Sequence, residues 1–230
     1  MRVATYNLHG CVGRDGVFAP ERVCRIVSEF EADVVALQEV SSGPAGAAGL
    51  AVHRILTEAF EGYEVWAPTF DEEGHMFGNL LLSRWPILER TVADISVKDR
   101  EPRNAISARL DAPFGPLRVI ATHLGLKGWE RVRQAEALCR VIDETVGPGP
   151  VVLAGDLNLW NPFSRVGRAL GRATAPRRRI PTFPTGFPMF PLDAIMVRSV
   201  AGGITIRRYD TPETRIASDH FPLIADVSLG

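Results

Sequence analysis

At 230 residues, with 46% hydrophobic and 23% charged side chains, the chain has the composition of a globular protein able to bury a sizeable core. A formal net charge of −1 gives no global basic field, and three cysteines (Cys11, Cys24, Cys139) without C-x-x-C spacing argue against structural zinc and a disulfide framework. No basic segment leads into an apolar core at the start, and no apolar run reaches the roughly 18 residues a spanning helix needs. The expectation is therefore a soluble cytoplasmic protein with no integral membrane segment, one domain over residues 1–230, monomeric by default.

In chain order, Val3 to Asn7 reads as a first strand, and Gly10 to Gly16 as a glycine-rich loop. Pro20 opens a helix whose Val23, Ile26, Val27 and Phe30 form one inward stripe. Val34 to Glu39 is a buried strand that ends in an acid, and residues 41–49 form a small, flexible loop. Val52, Ile55, Leu56, Ala59 and Phe60 mark a second amphipathic helix. From Tyr63 to Val119, short apolar runs separated by Pro, Gly and Asp predict a meander of mostly antiparallel strands, followed by Val119 to His123, a strand ending in an imidazole. Val132, Ala135, Leu138, Cys139 and Ile142 make a third helical stripe, stopped by Gly147-Pro148. Val151 to Ala154 is a short strand buried on both faces, punctuated by Gly155, and an extended continuation would project Asp156 and Asn158 from one side; an Asx-type turn is the alternative. An Arg- and Pro-rich stretch from Asn161 to Pro191 carries no predicted element, and Leu192–Val197, Ile204–Ile206 and Phe221–Ala225 are further strands. Many strands with helices among them predict an α/β fold of two packed sheets with helices outside.

The strands end repeatedly in polar groups: Asn7, Glu39, His123, Asp156 with Asn158, Asp193, and Asp219-His220 ahead of the last strand. Each has a plain alternative as a cap, a turn former or a satisfied core group. Gathered at one end of a core, carboxylates repel and lose hydration, which a divalent cation relieves. Hard oxygen donors without thiolates select Mg2+ or Mn2+, a set suited to hydrolysis of a phosphate ester. His53, His75, Glu72 and Glu73 stand in polar contexts and read as surface residues.

The series Thr5-Tyr-Asn7, Leu37-Gln-Glu39, Gly78-Asn79-Leu-Leu-Leu-Ser-Arg84, Thr122-His123-Leu124, Gly155-Asp156-Leu-Asn158, Leu192-Asp193 and Ser218-Asp219-His220-Phe-Pro-Leu223 resembles the endonuclease/exonuclease/phosphatase superfamily over nearly the whole chain. The resemblance implies a four-layer αββα sandwich and a metal-dependent phosphoesterase. Position by position, it implies Glu39 as principal metal ligand with Asn7 beside it and Asp219 assisting. Asp156 would orient or deprotonate water, Asn158 would hold the scissile phosphate, and His220, oriented by Asp193, would contact it. His123 would be a phosphate ligand or proton donor, Asn79 would lie near the phosphate, and Arg103 would add a contact or sit on the surface. Ala194 follows Asp193 where the apurinic-site nucleases carry Tyr, and the Trp-Cys-Asp-Arg motif of the inositol phosphatases is absent. The chain is more similar to short bacterial members, with some likeness to the sphingomyelinase-like and deadenylase-like branches. Near-neutral charge disfavours a DNA or RNA nuclease, and an inactive binding module would have lost one of these positions. Arg165, Arg168, Arg172 and the run Arg177, Arg178, Arg179 are the densest positive charge and the expected substrate-selecting region.

Overall fold

The computed structural model describes residues 1–41, 52–72, 75–145, 149–161, 164–174, 180–198 and 202–228, with the side chains of 70–72, 75 and 145 outside the description. Within these residues the strands are β1 (Arg2–Asn7), β2 (Val34–Ser41), β3 (Tyr63–Glu72), β4 (His75–Ser83), β5 (Ile87–Asp94), β6 (Asn104–Ala112), β7 (Gly115–His123), β8 (Val151–Asp156), β9 (Asp193–Arg198), β10 (Ile204–Arg208) and β11 (Leu223–Val227). The helices are α1 (Pro20–Glu29), α2 (Val52–Phe60), α3 (Gly128–Thr145), α4 (Arg165–Ala173) and the short α5 (Thr214–Ala217).

The strands form a six-stranded sheet ordered β10-β11-β1-β2-β4-β3 and a five-stranded sheet ordered β5-β6-β7-β8-β9. Each sheet contains one parallel pair, β1 with β2 and β7 with β8, and helices α1 and α3 supply the connections those pairs require. Alternation along the strands divides the core into three layers. Val3, Ala36, Leu81, Ile106, Ala121, Ala154 and Ile195 meet between the sheets. Tyr6, Leu37 and Leu80 pack under α1 and α2 with Val23, Ile26 and Leu56. Ile120, Leu153 and Met196 pack under α3 and α4 with Leu138 and Leu170. The result is the expected αββα sandwich.

Three expectations need correction. The stretch from Tyr63 to Val119 is antiparallel, but it is not one meander: β3 and β4 close the first sheet, whereas β5, β6 and β7 belong to the second. The chain changes sheets at Arg84-Trp85-Pro86, where proline has no N–H to continue a ladder. The Arg- and Pro-rich stretch contains α4, capped by Ser164 Oγ, which accepts from Gly167 N at 3.2 Å. Its Val166, Leu170 and Ala173 are buried, a stripe too narrow to stand out among arginines. His53 is half-buried, its ring stacked on Trp66 with centroids 5.0 Å apart; the side chain of His75, also read as a surface residue, lies outside the described residues. Among the described residues no helix is long and apolar enough to cross a membrane.

Leu81 is fully buried between the sheets, so Leu81→Ala should cost about 2–5 kcal/mol in urea unfolding. Val92, 46% exposed on β5, should change stability by less than about 0.5 kcal/mol as Val92→Ala. Equal losses would contradict the placement of the core.

Candidate active site

The inward-facing rows that fill the inter-sheet core turn polar at one end of the sandwich. Val3 leads by alternation to Thr5 and Asn7, Leu81 to Asn79, Ile106 to Asn104, Ala121 to His123, Ala154 to Asp156, and Ile195 to Asp193. His123, Asp156 and Asp193 are register partners on the adjacent strands β7, β8 and β9. Hydrogen bonds tie the two sheets, and the segment ahead of β11, together across this rim. Asn7 Nδ2 donates to Asp156 Oδ2 at 3.1 Å, Asn79 Nδ2 to Asn104 Oδ1 at 2.8 Å, and His220 Nδ1 lies 2.8 Å from Asp193 Oδ2.

Glu39 breaks the alternation. Strict alternation would turn it, like Val35 and Leu37, under the helices. Instead the β2–β4 register shifts between Leu37 and Val40, and Glu39 takes a left-handed φ of 53°. The bulge delivers its carboxylate to the cleft, where Asn7 Nδ2 reaches Glu39 Oε1 at 2.9 Å. Asn158 also departs from extended backbone, at φ 46°. Its N–H donates to Asp156 Oδ1 at 2.9 Å, so the Asx turn forms and Asp156 and Asn158 still reach one cleft. Just before this turn β8 runs close against β7: a Cβ on Gly155 would lie 1.9 Å from the Thr122 carbonyl oxygen.

The cleft, about 380 Å³, is walled by Glu39, Asn79, Arg103, His123, Asp156, Asn158, Asp219 and His220 among others. Asn7 and Asp193 stand behind this wall, bonded to residues that form it. Arg103 is buried rather than on the surface, its terminal nitrogen paired with Glu101 Oε1, while its Nε has no partner. Arg177, Arg178 and Arg179 lie outside the described residues. Asn104 carries no mark in the sequence, and Ser218 stands only as the first residue of the last motif with no role assigned, yet both hold the site. Asn104 also donates to the Ala67 and Pro68 carbonyls, each at 3.1 Å, and Ser218 Oγ bridges the Asn7 carbonyl and His220 N–H at 2.8 and 3.1 Å. No residue spacing signals either contact, since both are made by tertiary packing.

The environment drives the ionisable groups apart. Burial raises the Glu39 carboxyl above its ordinary range, and Asp156 and Asp219 add to the rise against the Asn7 hydrogen bond. Burial opposes charge on His220, but Asp193 and Asp156 outweigh it and hold the imidazole up to about 10. Burial, reinforced by Arg103, pushes His123 down to about 3, so that ring is neutral.

These donors fit a hard cation. Glu39, Asp156 and Asp219 offer carboxylate oxygens to one cleft, and their mutual repulsion is what a divalent ion would relieve. Asn7 turns its amide nitrogen toward Glu39, because its oxygen accepts His9 N–H at 3.0 Å; as oriented it steadies the carboxylates rather than offering a ligand oxygen. Asp156, Asp193 and His220 also have ligand atoms within 4.8 Å of one another, and Asp193 Oδ1 is buried without a partner.

Residues 4–220 match the model of the Endonuclease/Exonuclease/phosphatase family. The chain is 30% identical to the uncharacterized protein YbhP of Escherichia coli (strain K12), over 99% of this chain and 96% of that one. An endonuclease/exonuclease/phosphatase structure from Beutenbergia cavernae superposes with a TM-score of 0.79 at 24% identity, covering 100% of this chain and 72% of the other. The mannosyl-6-phosphatase Bt3783 of Bacteroides thetaiotaomicron superposes at 0.74 with 16% identity and 99% of both chains. The two structures share the fold.

In EDTA, NMR titration of the His220 ring should report a midpoint near 10 in the native chain and a lower one in Asp193→Asn. Because the folded value is raised, the stability linked to this ring is fully present below about 6.5 and lost as pH rises through about 10. An unchanged midpoint in Asp193→Asn would contradict the pairing.

Proposed function

The chain belongs to the endonuclease/exonuclease/phosphatase family, and from that premise we propose that it is a Mg2+- or Mn2+-dependent phosphoesterase acting on a phosphodiester or phosphomonoester by in-line attack of water. The observation that carries this reading is the meeting, in one cleft, of an all-oxygen acidic cluster with an imidazolium held by a buried carboxylate. Glu39, assisted by Asp219, would hold the cation, and Asn7 would fix the carboxylates of Glu39 and Asp156 through its two donated hydrogen bonds. Bound there, the ion would polarise a phosphoryl oxygen and offset the charge that develops on it.

The remaining roles follow from orientation and charge. Asp156 accepts from Asn7 and from the Asn158 N–H, leaving its carboxylate fixed to orient water and take its proton. His220 presents a fixed positive charge to the phosphoryl oxygens, and Asp193 sets its ring through Nδ1. Asn158 Nδ2 donates to the Leu124 carbonyl at 2.8 Å and lies 3.4 Å from His123 Nε2, so the amide and the neutral ring stand side by side in the wall where the phosphate would sit. Asn79, held by Asn104, and Arg103 complete the wall opposite.

Glu39→Gln should lower Mg2+-dependent hydrolysis of bis-p-nitrophenyl phosphate by on the order of a hundredfold or more while circular dichroism stays native. Full activity in that variant, or activity undiminished in excess EDTA, would reject the reading. Asp193 acts through His220, so Asp193→Asn combined with His220→Ala should be scarcely slower than His220→Ala alone. Additive losses would show that the two act separately.

A further inference from the structure

Glu39, on β2, stands between two asparagines of the same sheet, Asn7 on β1 and Asn79 on β4. Each amide is bonded across to the other sheet, Asn7 to Asp156 and Asn79 to Asn104. Their ends face opposite ways. Asn7 turns its nitrogen toward Glu39, whereas Asn79 commits its nitrogen to Asn104, with Nδ2 2.8 Å from Asn104 Oδ1 and 3.4 Å from the Asn104 backbone carbonyl.

The orientation of Asn79 is locked twice by backbone carbonyls, which can only accept. Asn104 Nδ2 donates to the Ala67 and Pro68 carbonyls, each at 3.1 Å, so Asn104 Oδ1 has to face Asn79 and to receive a donor there. The Asn104 carbonyl, which also takes the Thr122 hydroxyl at 2.8 Å, is a second acceptor beside the same Asn79 nitrogen. Reversing Asn79 would press its oxygen on two oxygens. Reversing Asn104 would press its oxygen on two carbonyls. Both side chains are buried, so water cannot compensate for either mismatch. What Asn79 has left for the cleft, whose wall it forms, is Oδ1, and among the described residues no hydrogen bond engages that atom.

An amide oxygen is partly negative and has no proton to give. On the strand next to Glu39 it repels phosphoryl oxygens and attracts a cation, or the waters that a small hard cation retains. Resting on the reading of the cleft as a cation-dependent phosphoesterase site, we propose that Asn79 serves the cation and not the phosphate, its Oδ1 accepting from the hydration shell of the ion held by Glu39. Asn104 is then a positioning residue that sets the polarity of Asn79. The two asparagines beside Glu39 divide the work: Asn7 steadies the carboxylates through its N–H groups, and Asn79 adds a neutral oxygen to the ion's surroundings. Partners of this outer kind tune how tightly an ion is held.

The test is Mn2+ binding to the full chain without substrate, followed by electron paramagnetic resonance of the free ion, so that no turnover enters the readout. Asn79→Ala and Asn79→Leu should each weaken Mn2+ binding by about tenfold or more. At saturating Mg2+ the same variants should keep the KM for bis-p-nitrophenyl phosphate within about twofold of the native value. A measurement on the native chain decides the matter even where the variants fold poorly: Mg2+ should shift the Asn79 Cγ resonance of the 13C,15N-labelled protein at the concentrations that saturate the site. Mn2+ affinity unchanged in both variants with KM raised would make Asn79 a substrate contact and overturn the proposal, as would a Cγ resonance that Mg2+ leaves in place. Mn2+ binding that is lost in Glu39→Gln but indifferent to Asn79 overturns the proposal and leaves the cation reading of the cleft standing. A native chain that binds no Mn2+ overturns both.

Discussion

One amide joins the two halves of the site. Asn7, the last residue of β1, donates from a single nitrogen to Glu39 of its own sheet and to Asp156 of the opposite sheet, while His9 N–H fixes which end of the amide faces them. Two carboxylates that would otherwise repel are thereby set at a common donor. The arrangement depends on the bulge that turns Glu39 out of strand alternation and on the closeness of β7 to Gly155, which leaves no room for a Cβ. The rim of the sandwich is thus a continuation of its core: the same inward rows that bury Leu81 and Ala154 end in the polar residues that meet across the sheets.

The two buried histidines show how position assigns charge. His123 and His220 both lie in the cleft wall, and burial disfavours the imidazolium in each. Asp156 lies near both rings, 3.5 Å from His123 Nε2 and 3.8 Å from His220 Nε2; Asp193 at hydrogen-bond distance is what holds His220 cationic, whereas burial, reinforced by Arg103, holds His123 neutral. Separating like groups in this way gives a site distinct donors for distinct tasks. Carboxylates clustered with one fixed positive charge suit a substrate that brings its own negative charge and a cation that bridges the two.

Much of this is legible in the sequence, because strands buried on both faces announce themselves as short apolar runs and their polar ends fall at the next residue. His123 and Asp156 close β7 and β8 in this way, Asp193 opens β9 ahead of its apolar run, and α1 shows its Pro20 start and its stripe. Glu39 is legible in position but not in cause, since a bulge leaves no mark in periodicity. Helix α4 is hidden because only Val166, Leu170 and Ala173 face inward amid arginines and glycines. The partition of the strands between Tyr63 and Val119 is equally hidden, since antiparallel neighbours within a sheet and strands on either side of a sheet change share the same local pattern. Asn104 and Ser218 act through contacts that only the packed chain creates. An average charge of −1 does not reveal distribution: Arg165, Arg168 and Arg172 share one exposed stripe of α4.

The central claim is that the Glu39 cluster, not the Asp193–His220 pair, is the seat of a divalent cation. Anomalous diffraction from crystals soaked in Mn2+ decides this directly. The account predicts a manganese peak at the Glu39 carboxylate, lost in Glu39→Gln. A peak at Asp193 and His220 instead, or none at saturating Mn2+, would contradict it.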